Sequence, residues 1–202
     1  RSLSRVVDFT VKQAIITKTF WLLGLAMGLR ASAQQTLMVH IVPILVSKRI
    51  PESIAAALVS VVALSRLPTS IGAGFLSDRW SRQRTSAVCY LIGATATSIL
   101  LFTSGGLVAG MGFAILFGSA HAANHIGSAM VGQFFGRKHY GALRGVISLL
   151  WMVSMVGPIL SGWSFDQTGS YTTTLAATTI AYLSSTVIFW WLKEPNAMES
   201  TQ

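Results

Sequence analysis

The sequence is short of charge and nearly without cysteine. Only 10% of its 202 residues are Asp, Glu, Lys or Arg, against about 25% in an ordinary globular domain. So few charges cannot cover the surface of a soluble domain of this length. Disordered chains combine low hydrophobicity with high charge. This chain does the reverse, with 52% hydrophobic residues and a mean hydropathy of +0.60. Cys89 is the single cysteine, so no disulfide can close within the chain, and its apolar neighbours mark it as a packing residue. Nucleophile motifs, metal-ligand sets and paired intramembrane carboxylates are also missing. That argues against an enzyme, and no cofactor or metal site is read. The N-terminus lacks the short apolar core and small-residue cleavage site of a secretory signal. The chain opens on Arg1 rather than Met and is expected to be a piece of a longer protein.

What is present is a series of long apolar runs. A membrane-spanning helix needs about 20 mostly apolar residues. Thr85 to Gly136 runs for 52 residues without Lys, Arg, Asp or Glu, which suits two helices joined at Thr103-Ser104-Gly105-Gly106. Further runs lie between Arg144 and Asp166 and between Gln167 and Lys193, and two earlier ones each hold one arginine. The pattern predicts an all-α, polytopic membrane protein with six spans, at about 20–47, 53–76, 85–103, 107–134, 143–165 and 171–192. Membrane β-barrels alternate over segments of about ten residues, and these runs do not. Residues 1–19 read as a linker or a short amphipathic helix on the membrane surface, since apolar residues there alternate with basic ones. Residues 193–202 read as a tail.

The net charge of +9 does not point to nucleic acid, because it forms no stripe on a soluble fold. It sorts by topology instead. Six spans put both ends on one side. On that side fall Arg1, Arg5, Lys12, Lys18, Arg79, Arg82, Arg84, Arg137, Lys138, Arg144 and Lys193, eleven basic residues, against Lys48 and Arg49 on the other. The positive-inside rule then places both termini in the cytoplasm. Trp21, Trp80, Trp163, Trp190 and Trp191 fall near the expected interfaces, where amphipathic rings are favoured.

Two basic residues remain inside the membrane, Arg30 and Arg66. A charge at a helix centre costs about 2.5–3.5 kcal/mol on insertion scales, so both are candidates for function. All six acids lie in loops or at helix ends, which leaves neither arginine a countercharge within a span. An anionic ligand, a water-filled cavity or a partner outside this chain is required. Gln34 lies one turn beyond Arg30, and His40 follows on a neighbouring face. His121 and His125, spaced i and i+4, are expected to share a face with Asn124 beside them. The pair lacks the further ligands of a zinc site and reads as a polar cavity wall or proton relay. Ser and Thr are frequent in the third and sixth spans, where their hydroxyls can bond back to the i−4 carbonyl. Those two spans hold no charge or histidine and are expected to brace the fold or face lipid. Gly157-Pro158 should kink the fifth span. Gly72 and Gly74 should let the second approach a neighbour.

The segment Gly74-Phe75-Leu76-Ser77-Asp78-Arg79-Trp80-Ser81-Arg82-Gln83-Arg84 joins the second and third spans. It resembles the G-x-L-x-D-R-x-G-R-[RK] signature of the major facilitator superfamily, departing from it at Ser81 and Gln83. Phe134 to Gly141 and Gly157 to Tyr171 are similar to the corresponding stretches of the family's second half. A weaker resemblance is to the oxalate/formate antiporter and monocarboxylate-porter group. There an arginine often lies four residues before the signature glycine; here Ser70 takes that place and Arg66 lies one turn earlier. The resemblance implies one six-helix half of a twelve-span transporter, the N-terminal half being absent, with substrate bound between the halves. It assigns the first, second, fourth and fifth spans to the cavity. Asp78, Arg79, Arg82 and Arg84 would form a conformational-switch loop beside Gly74.

Three functions follow as expectations. The first is a secondary active transporter of a small organic anion such as a monocarboxylate, working by antiport or proton symport in the plasma or bacterial inner membrane. The second is a transporter of a neutral or drug-like solute, in which a carboxylate of the absent half pairs with the arginines. The third is a non-transporting sensor or interaction protein.

Overall fold

A computed structural model of the chain describes residues 8–195. The charges expected at Arg1 and Arg5, and the tail from residue 196 on, lie outside them. The described chain is helical throughout: α1 (Val11–Ile16), α2 (Lys18–Ser47), α3 (Glu52–Arg79), α4 (Arg82–Phe102), α5 (Leu107–Ala120), α6 (Asn124–Phe135), α7 (Tyr140–Val153), α8 (Val156–Thr168) and α9 (Thr172–Trp191). A 3-10 turn, His121–Ala123, links α5 to α6. Besides α1 these make six long helical segments, the fourth being α5–α6 and the fifth α7–α8, at the places of the six expected spans. Five of these segments carry an apolar stretch long enough to span a membrane. α2 is 30 residues long, about 45 Å at 1.5 Å per residue, but Arg30, Gln34, Gln35 and His40 interrupt its apolar character.

Local chemistry sets the helix ends. Thr10 and Gln13 form a reciprocal capping box at the start of α1. Thr17 caps α2 and Ser81 caps α4 through their side-chain oxygens. The turn after α4 uses Gly105 and Gly106, both at φ +97°, a backbone region that L-residues with a Cβ avoid. There the Gly106 amide donates to the carbonyl of Lys48 at 3.1 Å, and the Lys48 ammonium donates to that of Thr103 at 3.2 Å.

Lipid tails are as apolar as leucine, so helices in a membrane associate by close packing and hydrogen bonds rather than by the hydrophobic effect. The contact between α4 and α9 is the most extensive, followed by α3 with α5 and α2 with α9. Tyr90 meets Phe189 edge to face at 5.1 Å, and Tyr182 lies against Gly93. Thr179 donates to Thr97 at 2.8 Å, and Ser185 to the Ala26 carbonyl at 3.0 Å. Most other hydroxyls here bond back one turn, as Thr95, Thr178 and Thr186 do. The third and sixth spans therefore brace the bundle.

The close approach of α3 to its neighbour differs from the sequence reading. Gly72 and Gly74 face open space. Gly118 of α5 makes the contact instead: a Cβ there would stand 2.4 Å from the Val62 carbonyl oxygen.

One end of the bundle gathers the loop charges. Asp8 accepts from the backbone amides of Arg137 and Lys138 at 3.0 and 3.3 Å, and Phe9 packs edge-on against Phe135 at 5.7 Å. At the same end Arg82 donates to Gln133 at 3.1 Å, and Gln133 donates to Glu194. Lys48, Thr103 and Gly106 meet at the opposite end. Exposed apolar side chains crowd α3 and α7–α8, including Leu64, Leu67, Ile71 and Phe75 on the first and Leu149, Met152, Ile159 and Trp163 on the second.

Candidate functional site: an arginine-lined cavity

Arg30 is buried at 5% exposure, midway along α2. A guanidinium in such a place must spend its donors on whatever acceptors surround it. Its Nη1 donates to Gln34 Oε1 on the same helix and to Asn124 Oδ1, the first residue of α6. The guanidinium carbon lies 6.0 Å from the centre of the Tyr90 ring. These partners are neutral, so the charge is solvated but not cancelled. Its Nε is buried and finds no partner.

The 3-10 turn decides what α6 presents here. Three residues in tighter winding break the α-helical phase between His121 and His125. His121 is buried, its Nδ1 donates to the Phe117 carbonyl at 2.7 Å, and its ring meets Phe117 edge-on at 4.8 Å. His125 is exposed and lines the cavity. The shared histidine face expected from i, i+4 spacing is thus absent: His121 closes onto α5 while Asn124 and His125 turn to Arg30.

Arg30, Gln34, Asn124 and His125 line a cavity of about 470 Å³. Arg66 of α3 lines it as well, exposed and one helix away. α7 contributes Arg144, Ser148 and Trp151, and the α7–α8 turn contributes Ser154 and Met155. No acid is among the lining residues. All four spans that the resemblance assigns to a cavity take part.

Arg144 is a correction. It counts with the inner-loop charges in sequence, yet it sits in the second turn of α7 and folds back toward the cavity, its guanidinium carbon 5.0 Å from the Trp151 ring centre. His40 is another. It lies outside this cavity, its Nε2 donating to the Pro158 carbonyl at 3.0 Å and its ring beside Tyr171. The interruption of the fifth span falls just before Gly157-Pro158, at Ser154–Met155. Proline offers no amide to the carbonyl four residues back, which is that of Ser154. Gly157 is pressed against α2, where a Cβ would stand 2.5 Å from both Ser32 Oγ and Thr36 Oγ1.

The signature loop holds Gly74 facing open space and Asp78, Arg79 and Arg84 exposed. Among the described residues Asp78 forms no salt bridge. Arg82 is engaged by Gln133 and, through it, is linked to Glu194. Sequence reading singled out neither Gln133 nor Glu194, because neither belongs to the signature and they meet Arg82 only in the folded bundle.

A cavity of guanidiniums and amides among apolar helices, two of which are joined by a charged loop at their end, defines a class of membrane protein. The Major Facilitator Superfamily profile matches residues 19–202, and the chain belongs to that family of transporters. It is 26% identical over 186 residues to monocarboxylate transporter 12-B of Danio rerio, covering 87% of this chain and 38% of that protein. It is 25% identical over 196 residues to monocarboxylate transporter 12 of Rattus norvegicus, covering 93% and 40%. The chain thus spans about two fifths of the length of the curated relatives it matches.

Proposed function

We propose that the chain is one six-helix half of a secondary active transporter that moves a small organic anion such as a monocarboxylate by alternating access. One observation carries this reading: Arg30, Arg66 and Arg144 line a single cavity that holds no acid. A carboxylate entering it meets uncancelled positive charge in a poorly screened setting, where charge-assisted hydrogen bonds are strong. The monocarboxylate transporters similar to this chain agree with the anion class. The exposed apolar faces of α3 and α7–α8 suit a second six-helix half, and the greater length of the relatives leaves room for it. The end bearing Arg82, Arg137 and Lys193 is the cytoplasmic one by its basic excess.

The test is counterflow of labelled acetate, lactate and pyruvate in proteoliposomes containing the full-length protein, with Arg30→Gln and Arg66→Gln alongside. Arg30→Gln is expected to abolish anion counterflow, since Arg30 is the one buried arginine among the described residues. Transport unaltered in both variants refutes the anion reading. Absence of counterflow for every solute class points instead to a non-transporting member of the family. Antiport and proton symport separate by pH. In the symport case His125, which lines the cavity, is the proton site, so uptake loses its pH dependence in His125→Ala and keeps it in His121→Ala.

A further inference from the structure

His40 lies outside the arginine-lined cavity, in the second half of α2, and the transport reading gives it no part. It is half-buried. A ring nitrogen bonded to a carbonyl oxygen must carry a proton, because that oxygen can only accept. His40 Nε2 therefore donates to the Pro158 carbonyl of α8, at 3.0 Å, whatever the charge of the ring. Among the described residues this is the one hydrogen bond between α2 and α8. The other nitrogen, Nδ1, lies 3.4 Å from the hydroxyl of Tyr171, which immediately precedes α9. A hydroxyl both donates and accepts, so Tyr171 donates to the neutral ring and accepts from the protonated one. Tyr171 is itself buried and stacked on Phe165 of α8, the ring centres 4.4 Å apart. One imidazole thus ties α2, α8 and the turn into α9 together in both of its charge states.

α8 is the element that such a tie holds. It joins α7 only through the broken turn at Ser154–Met155, and Ser161 is the one residue within it that is buried. An element with little buried surface and a break at its root opens locally at low cost. Gly157 sits against Ser32 and Thr36 close to that break, so the far end of α8 swings most. Few charged or titratable groups surround the ring. α8 carries Asp166 in its last turn, and its charge is felt at Tyr171. Lys48 and Arg49 follow about two turns along the chain from His40. α9 carries no charge, and its Tyr182 faces Gly93 of α4.

We propose that His40 is an acid-responsive clamp: protonation of its ring holds α8 against α2, and loss of that proton lets α8 swing outward about the break at Ser154–Met155. Protonation turns both contacts into charge-assisted hydrogen bonds, about twice as strong as neutral ones. Burial of the charge opposes this, but the ring is only half-buried, and each of its N–H groups finds an oxygen. Imidazole is the side chain that ordinarily changes charge between about pH 5 and 8. Acid therefore favours the closed arrangement, and alkali releases it. The clamp lies toward the end of the bundle that bears Lys48 and Thr103, opposite Asp8 and Arg82, and answers to pH on that side. It is separate from the proton site considered at His125, which lines the arginine cavity.

The experiment measures the distance between spin labels at Val46→Cys, in the last turn of α2, and Gln167→Cys, at the far end of α8. Both side chains are exposed. The full-length protein, freed of other cysteines, is held in lipid nanodiscs without substrate at about pH 5.5 and about pH 8. With His40 in place, the ratio of short to long distances is expected to be about fivefold higher in acid, the difference between a charge-assisted and a neutral hydrogen bond. His40→Gln keeps a side-chain donor for the Pro158 carbonyl but does not titrate, and is expected to give one distribution at both pH values. His40→Phe removes the donor and is expected to favour the long distance at both. A distribution that is the same at both pH values with His40 in place overturns the clamp, whatever either variant does. So does a pH response that survives in His40→Gln, which assigns the titration to another group. Because no substrate is present, neither result bears on the anion reading of the arginine cavity.

Discussion

Replacing Gly118 by alanine tests the packing that holds the second span to the fourth. The added methyl group would stand 2.4 Å from the Val62 carbonyl oxygen, 3.1 Å from that carbonyl carbon and 2.9 Å from Ser65 Cβ. An ordinary carbon–oxygen contact is about 3.3 Å or longer, so α3 and α5 must part by about 1 Å. Val62 cannot yield by changing rotamer, because the obstructing atoms are backbone. Overpacking of this kind costs about 1–3 kcal/mol. A second term opposes it: alanine is better than glycine within a helix by about 0.8–1.0 kcal/mol. Gly112→Ala isolates the clash, since Gly112 lies in the same helix and its added Cβ meets only Ile99 Cδ1 at 3.8 Å, an ordinary contact. The propensity gain cancels between the two variants, and the difference that remains is about 1–3 kcal/mol against Gly118→Ala. The assay is thermal unfolding of the two purified variants in the same detergent, followed by tryptophan fluorescence. In a chain of this size each kcal/mol shifts the midpoint by about 2–4 °C. If Gly118→Ala melts at or above Gly112→Ala, Gly118 does not press on the Val62 carbonyl.

Three further outcomes are expected. Thr97→Val and Thr179→Val, each alone and together, should show a coupling of about 0.6 kcal/mol in a double-mutant cycle, the average for an interhelical hydrogen bond in a membrane; strict additivity would deny the Thr179–Thr97 bond. Asp8→Ala should free the amides of Arg137 and Lys138, seen as faster hydrogen exchange at those two positions with the α4–α9 core unchanged. Protection that stays the same would mean Asp8 does not hold that loop. Gln133→Ala should release Glu194 from its link to Arg82 and speed tryptic cleavage after Lys193, at a stability cost below about 1 kcal/mol because the bonds are exposed. Unaltered cleavage would show that Gln133 does not tether the segment.

The class and the places of the long helices were legible in the sequence because both follow from one-dimensional quantities. Apolar run length predicts a span whatever the span packs against. Arg30 stood out by the same logic, as a charge in an apolar run, and Gln34 by its place one turn away. Asn124 was a cavity candidate in sequence through its place beside two histidines. That it accepts from Arg30, 94 positions earlier, depends on how α6 is rotated, and the 3-10 turn sets that rotation. The same turn separated His121 from His125. Arg144 was misplaced because sequence position locates a backbone, whereas a long flexible side chain decides where its own charge goes. Trp151 was the one tryptophan not associated with an interface, and only the folded bundle shows it stacked with Arg144 in the cavity wall. His40 and Pro158 were noted for unrelated reasons and turn out to be bonded to each other.

By itself the sequence determined that this is an all-helical membrane protein, which segments are apolar enough to be helices in a bilayer, and which few residues are costly in lipid. Those properties follow from transfer of each segment between water and hydrocarbon, and that depends on composition and order alone. Tertiary structure decided which costly residues share a cavity and which close onto neighbouring helices. Those follow from the rotation and spacing of helices about one another, fixed by close contacts such as Gly118 at Val62 and Gly157 at Ser32, whose partners lie far away along the chain.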